Sequence, residues 1–286
     1  FFTRKPKFST EPEEKLYMRV GAALQYASAS QNRKMNFFIN LGGKKFASYT
    51  NFTLSEFDNL RTGQNRAARE GDWGLNKTYV EWKNNKDTII ENDKPWVLKN
   101  TAFRQYDLLQ KFSLKISDAS ILHANFQLSN SSDIPRTDRM NYTDSNGNFA
   151  DAEWRYGPQT RMMGSIQAVI SSHTILSDKL TITGAFQKIY EERLTRKFGD
   201  TKLVDRFENV SVASLNIDVK KHFDSQNNLF YGLEFVYNEV FSKATRVDKI
   251  TGQLDSNATT RYPENGSYTR ALSAYIKHDY RFNDMW

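Results

Sequence analysis

No cysteine occurs among the 286 residues, which removes disulfide frameworks, thiolate zinc sites and cysteine nucleophiles and leaves the redox compartment open. No stretch approaches the roughly 18 consecutive apolar residues that a membrane helix needs. The longest apolar clusters are short, as in Met35 to Leu41, so a helical membrane protein is excluded. Segregated charge is also missing. The 40 basic residues face 33 acidic ones spread along the chain, and without a basic stripe the net charge of +7 does not point to nucleic acid. There is no P-loop, His-Glu-x-x-His, Gly-x-Ser-x-Gly or dinucleotide glycine fingerprint, which argues against an enzyme. The start at Phe1 carries neither methionine nor the features of a signal peptide, so processing or truncation is expected there.

What the sequence does contain is a period of two, repeated in segments of about ten residues, the signature of strands. Tyr106, Leu108, Phe112, Leu114 and Ile116 alternate with Asp107, Lys111, Ser113 and Lys115. After the turn Ser117 to Ser120, Leu122, Ala124, Phe126 and Leu128 alternate with His123, Asn125, Gln127 and Ser129. The pattern recurs at Met162 to Ile170, Leu180 to Gln187, Ala213 to Lys220, Leu229 to Asn238 and Leu272 to Phe282. With Leu16 to Tyr26 and Met35 to Tyr49, nine strands are expected. A mean hydropathy of -0.69 is compatible with a membrane barrel, whose strands show lipid only every second side chain.

The links between these segments differ in length. Short ones are expected at Ser28 to Lys34, Ser117 to Ser120, Ser171 to Lys179 and His222 to Asn228, and long ones at Thr50 to Phe103, Asn130 to Gln159, Arg193 to Glu208 and Ser242 to Ser267. Short turns on one side and long polar loops on the other characterise outer-membrane barrels, with the loops outside the cell. A soluble sandwich has no reason to sort its loops in this way. The fold class expected is therefore all-β, a transmembrane antiparallel β-barrel. If the short links are periplasmic, the first strand runs inward, Phe1 to Glu14 is the tail of an external loop, an outward strand precedes it, and Arg281 to Trp286 begins another periplasmic turn.

Four segments carry a resemblance. They are Gly42-Gly43-Lys44-Lys45-Phe46-Ala47-Ser48 leading to Asp58-Asn59-Leu60-Arg61-Thr62-Gly63, then Tyr106-Asp107-Leu108-Leu109-Gln110-Lys111, then Asp133-Ile134-Pro135-Arg136-Thr137-Asp138-Arg139, and Ala152-Glu153-Trp154-Arg155-Tyr156-Gly157-Pro158-Gln159. In this order the chain, from about Lys15 to Trp286, resembles the TonB-dependent outer-membrane receptors of Bacteroidota, close to those labelled haem, siderophore or colicin receptors. The resemblance implies that residues 1–286 are part of a barrel of about 22 strands. It implies a plug domain, a TonB-binding segment, the first strand and the C-terminal strands lying outside this sequence. It also implies import of a scarce nutrient (an iron chelate, haem or another small ligand) energised through the TonB complex. Partners would be the chain's own plug, the small ligand and outer-membrane lipid or lipopolysaccharide. A surface lipoprotein is left open, and no nucleic acid, metal or cofactor is expected. A passive porin or a small-barrel adhesin is the alternative, followed by a barrel lipase or protease.

The external loop from Asp133 to Gly157 mixes guanidinium forks with flat rings, suited to an anionic or aromatic ligand. Arg136, Asp138, Arg139, Tyr142, Trp154, Arg155 and Tyr156 are its candidate contacts, and Trp73, Trp82 and Trp96 are further candidates in the longest loop. Asp107, Lys111, Lys115, Asp218, Lys220, Glu234 and Lys277 are expected on the lumenal side facing the plug. None of the four histidines falls in a long loop, so none is read as a haem ligand. Glu191 and Glu192 are read as solvated charge at a strand end, on opposite faces and so unable to share a substrate.

Overall fold

The structure is a computed structural model describing residues 5–10, 15–65, 67, 69, 71–143 and 147–282. Ten long strands follow one another as an antiparallel meander. They are β1 (Tyr17–Ala27), β2 (Asn32–Gly42), β3 (Phe46–Phe57), β6 (Phe103–Ser117), β7 (Ser120–Ser131), β10 (Thr160–Ser171), β11 (Lys179–Lys197), β12 (Lys202–His222), β13 (Asn227–Asp248) and β15 (Ser267–Tyr280). Smaller elements decorate one end: the hairpin of β4 (Thr78–Lys83) and β5 (Lys86–Glu91), then β8 (Ile134–Pro135), the one-turn helix α1 (Thr137–Met140), β9 (Asp151–Tyr156) and β14 (Leu254–Asp255). The sheet is open, since β1 pairs only with β2 and β15 only with β13. No helix of the described residues is long and apolar enough to cross a membrane.

Register explains why this sequence makes this sheet. One row across the strands reads Phe46, Leu114, Leu122, Ala168, Ile182, Ile217, Leu233 and Ala274. The adjacent row, one residue on, reads Ala47, Ser113, His123, Gln167, Thr183, Asn216, Glu234 and Ser273. Slipping any pair by one residue would mix the rows, so the alternation locks the pairing. The apolar face is open: Ile166 is 60% exposed, Phe186 51% and Leu233 51%. Buried apolar residues among those described are limited to Ala47, Tyr49, Ala152, Ala244 and Ala258. Among the described residues no sheet covers this apolar face over a dry interior, and an apolar surface of this extent needs a nonaqueous neighbour.

Four expectations are corrected. Met35 to Tyr49 is two strands, because Gly43 donates to the Phe46 carbonyl and closes a tight turn at 43–45. The strand that follows extends to Phe57, so the long link spans only 58–102. The first strand then runs the opposite way: β1 starts beside the 43–45 turn, with Tyr17 paired to Gly42. The end shared by the 43–45, 118–119, 172–178 and 223–226 turns is uniformly short, whereas the far end mixes long links with short ones at 28–31 and 198–201. The expected loop from Arg193 to Glu208 is mostly strand, since β11 and β12 stay paired from Lys179 with Lys220 to Thr195 with Val204.

Residues 5–10, expected at the long-loop end, lie on the polar face at the short-turn end. The Lys7 amide donates to Asn40 Oδ1 at 3.1 Å, Asn40 returns a bond to the Lys7 carbonyl at 3.4 Å, and the Ser9 amide donates to the Gly43 carbonyl at 3.1 Å. Gly42 permits this approach, because a Cβ there would overlap the Lys7 carbonyl oxygen. Residues 1–4 and 11–14 of that expected tail, and 283–286 of the expected final turn, lie outside the described residues.

Candidate ligand-binding site at the long-loop end

β11, β12 and β13 run for 19, 21 and 22 residues, about twice the 9–11 that a tilted strand needs to cross hydrocarbon. Their excess projects past the ends of β7 and β10, and β9 completes this outer wall by pairing Tyr156 with Arg193 and Trp154 with Thr195. Because paired residues share a face, Trp154, Tyr156, Arg193, Thr195, Arg206 and Arg246 stand on the polar face of the extension. Arg136 lies over the Trp154 ring at 4.5 Å, and Trp154 meets Tyr156 edge to face at 5.1 Å. Asp138 grips Arg136 along one guanidinium edge, its two oxygens accepting from Nε and Nη2. That pairing raises the Arg136 pKa, as does a bond with Tyr156.

Arg193, Arg246 and Arg261 gather around Arg206, whose pKa is lowered first by burial and then by these like charges. The link 249–266 crosses this face, with the Thr259 carbonyl accepting from Arg206 at 3.1 Å and Ala258 buried. Beneath it Glu208 and Ser242 are 3% exposed. Within the described residues, Arg193 Nε, both Glu208 carboxylate oxygens and Ser242 Oγ are buried without hydrogen-bond partners. These orphaned polar atoms are enclosed beneath the 249–266 link beside clustered guanidiniums, and buried polar groups without partners are uncommon.

The expected ligand contacts therefore separate. Arg136, Asp138, Trp154 and Tyr156 come together. Arg139 and Tyr142 stand exposed on and just after α1, with Arg139 contributing only its charge beside Asp138. Arg155 points to the opposite face and pairs with Asp133 at 2.7 Å and Glu153 at 2.8 Å. On that opposite face Arg196, 1% exposed, binds Asp87 at 2.6 and 2.8 Å and Glu153 at 2.9 Å and lies 4.4 Å from the Trp82 ring centroid. Lys249 also pairs with Glu153 and faces Trp82. This network fastens the β4–β5 hairpin to the wall, so Trp82 is a packing residue. Arg193, Arg196, Arg206, Arg246, Asp87, Glu208 and Lys249 went unrecognised in the sequence; carrying the alternation of β11 and β12 past the crossing length would have sorted the first three by face.

The seven residues expected on the lumenal side all share the polar face. Asp107 accepts from Ser129 at 2.6 Å, Asp218 from Tyr275 at 2.8 Å and Glu234 from Asn216 at 3.1 Å. Lys115 sits 4.6 Å from the Phe8 ring, and Lys220 and Lys277 flank Phe230 at 5.4 and 5.5 Å. Lys111 faces Tyr49 and Asn125. Glu191 and Glu192 do oppose each other across the sheet, but they lie within paired strand, and Glu192 shares a hydrogen bond with Asp205. Among the described residues no set of three His, Cys, Asp or Glu side chains could hold a metal ion.

No family model and no curated protein matches this sequence. Solved structures do. The copper transporter OprC matches 96% of this chain with a TM-score of 0.64 at 10% identity. The ferric enterobactin receptor PfeA matches 99% with 0.56 at 11%, and the ferric yersiniabactin uptake receptor FyuA of Yersinia pestis 96% with 0.52 at 10%. The chain spans 36%, 39% and 41% of those three chains respectively. At this identity the likeness concerns fold alone: the ten-stranded meander matches a portion of a β-barrel wall.

Proposed function

We propose that the chain is part of the barrel of a TonB-dependent outer-membrane transporter that imports a scarce small ligand, an iron chelate, haem or another nutrient. The observation that carries the reading is the pair of adjacent rows, one wholly apolar and one nearly all polar, running unbroken across eight strands from β3 to β15. Between its two open edges such a sheet satisfies its backbone internally, and it offers one face to lipid and one to a hydrated lumen. The short-turn end is then periplasmic and the long-loop end external. The polar face meets a plug domain, and ligand is met by Arg136, Trp154, Tyr156 and the arginines of the same face. TonB acts through the plug, and the strands are scaffold. The kinship with Bacteroidota receptors rests on the four segments quoted above.

A passive porin shares the wall, but the ring and guanidinium cluster of Arg136, Trp154 and Tyr156 favours a wall that meets a ligand over an open channel. The test is growth of a strain carrying the full-length gene, with and without its TonB system, on single limiting nutrients such as haem or a ferric siderophore. A nutrient whose uptake needs both is the expected result. Uptake that persists without TonB would return the porin.

A further inference from the structure

The 172–178 link, the longest at the short-turn end, does not continue the line of the wall. The Tyr231 hydroxyl donates to the Leu176 carbonyl at 2.9 Å, and the Lys221 ammonium donates to the Thr174 carbonyl at 2.7 Å and to Asp178 at 3.2 Å. Tyr231 stands on the apolar face, in the row Leu180, Val219, Tyr231 and Ile276, and Lys221 follows in the next row toward the turns, with Leu229 and His278. A turn that leaves β10 and enters β11 therefore leans over the apolar face and reaches past β12 to a side chain of β13, two strand spacings or about 10 Å away. Its polar groups are tied to one another or to the wall: the Ser177 amide donates to Thr174 Oγ1 at 2.9 Å, and Asp178 accepts from the His222 amide at 2.6 Å. Its two aliphatic side chains are not, since Ile175 is 92% exposed and Leu176 72%. The neighbouring turns carry charge instead, as Lys44 and Lys45, Asp118 or Asp224.

We propose that this turn is an interfacial anchor, whose Ile175 and Leu176 insert into the boundary between head groups and acyl chains of the periplasmic, phospholipid leaflet. The inference rests on the barrel reading, which puts the short-turn end at the periplasm and the apolar face in lipid. The turn lies at the margin of the apolar band, because the row through Tyr231 is uncharged and the next one holds Lys221 and His278. Tyrosine suits that margin, with its ring in apolar surroundings and its hydroxyl bonded at the polar border. Polar atoms bonded inward and aliphatic side chains turned outward form the arrangement that lets a segment lie in the interface. β10 to β13 are inside the sheet, so strands added at either open edge leave the turn uncovered. The anchor fixes the height of this part of the wall in the membrane.

Residues 1–286 contain no cysteine, so single labels can be placed in the full-length protein once any cysteine elsewhere is replaced by serine. Nitrobenzoxadiazole is attached in three variants: L176C, S225C in the neighbouring turn, and L215C in the middle of the apolar face. Each is reconstituted in palmitoyl-oleoyl phosphatidylcholine nanodiscs, which leave both membrane surfaces open to solvent, and heat-modifiable mobility on gels verifies folding. Emission is then quenched by aqueous iodide, or by phosphatidylcholine carrying a nitroxide near the head or near the methyl end of its acyl chain. The label at 176 should resist iodide and lose more emission to the shallow nitroxide than to the deep one. The label at 225 should respond to iodide alone, and the label at 215 most to the deep nitroxide. Iodide quenching at 176 equal to that at 225 overturns the proposal, and so does a label at 176 that neither quencher reaches, which would mean that protein covers the turn. A label at 215 that answers to iodide and not to lipid would instead overturn the barrel reading.

Discussion

The two ends of this sheet are held by different kinds of contact. At the short-turn end polar groups are satisfied within a turn or by the next turn: Asp224 accepts from the Gln226 and Asn227 amides, and Asp178 from the His222 amide and Lys221. Both carboxyls are held below the ordinary range, chiefly by those backbone bonds. At the long-loop end the decisive bond joins Arg196 to Asp87, 109 residues away. The short-turn end is thus fixed locally as soon as neighbouring strands pair. The long-loop end depends on ion pairs that form only when distant segments have already folded, and loop closure of that kind carries an entropic cost.

Removing one side of the distant pair tests this contrast most severely. Arg196→Ala leaves Asp87 and Glu153 without their buried partner, and breaking such a pair costs about 3–5 kcal/mol. Hydrogen exchange should show residues 78–91 losing protection while 172–178 and 223–226 keep theirs. Replacing both partners, Asp87→Leu with Arg196→Met, should restore most of the protection. Equal loss at both ends would show that the two regions form one cooperative unit. A smaller effect is expected at the short-turn end from Gly42→Ala, whose Cβ must displace the Lys7 carbonyl. Overpacking of this kind costs about 1–3 kcal/mol, and limited proteolysis should release residues 5–10. Gly164→Ala, with nothing within 4 Å of its Cβ, should leave that segment in place.

Acid separates two parts of the external end. Burial pushes Glu153 up, but bonds from Lys249, Arg196 and Arg155 outweigh it and hold the group at about 2 against an ordinary 4.5. A depressed carboxylate stabilises the fold fully above 4.5, and that contribution is lost as pH falls from 4.5 through about 2. Glu192 has the opposite sign, raised by burial and then by the charge of Asp205, with Asp133 also raising it and Arg155 opposing. Its ionised form burdens the fold, so mild acid above 4.5 relieves it. Exchange rates corrected for intrinsic pH dependence should therefore slow at 192–194 and 203–205 on mild acidification, and the hairpin at 78–91 should open only in stronger acid. Glu192→Gln removes the first phase and Glu153→Gln the second. A single transition common to both segments would contradict the assignment.

What was legible in the sequence follows the same division. Strands with clean alternation, such as Tyr106 to Ile116, were sorted into two faces correctly because their apolar and polar side chains alternate without interruption. β3 was hidden because Ser48 and Thr50 interrupt its apolar face between Phe46 and Phe52. Gln110 on the next strand explains their presence, accepting from Thr50 at 2.6 Å and donating to Ser48 at 2.9 Å, so three polar groups satisfy one another where none was expected. Missing that strand reversed the direction assigned to β1. In the external loop the ring and guanidinium content of Asp133 to Gly157 was visible, but its division between two faces was not. That division depends on β9 adding to β11, a pairing with no local signal.

The smallest expected effect bears on whether the external end serves ligand as well as architecture. Trp154 supports Arg136 by a contact that general magnitudes place at about 0.5–1 kcal/mol at exposed sites, and neither residue belongs to the Arg196 network. Trp154→Leu should therefore leave the hairpin protected. If the polar face of the extension receives an anionic ligand, the same substitution should lower its affinity by about two- to fivefold, and Arg206→Gln should lower it further because Arg206 sits among three other guanidiniums. Calorimetric titration with the nutrient identified by growth would read both. Loss of affinity with Arg155→Gln but not with Trp154→Leu would move the site to the opposite face, where the ion pairs now assigned to architecture would have to be the ligand's own contacts.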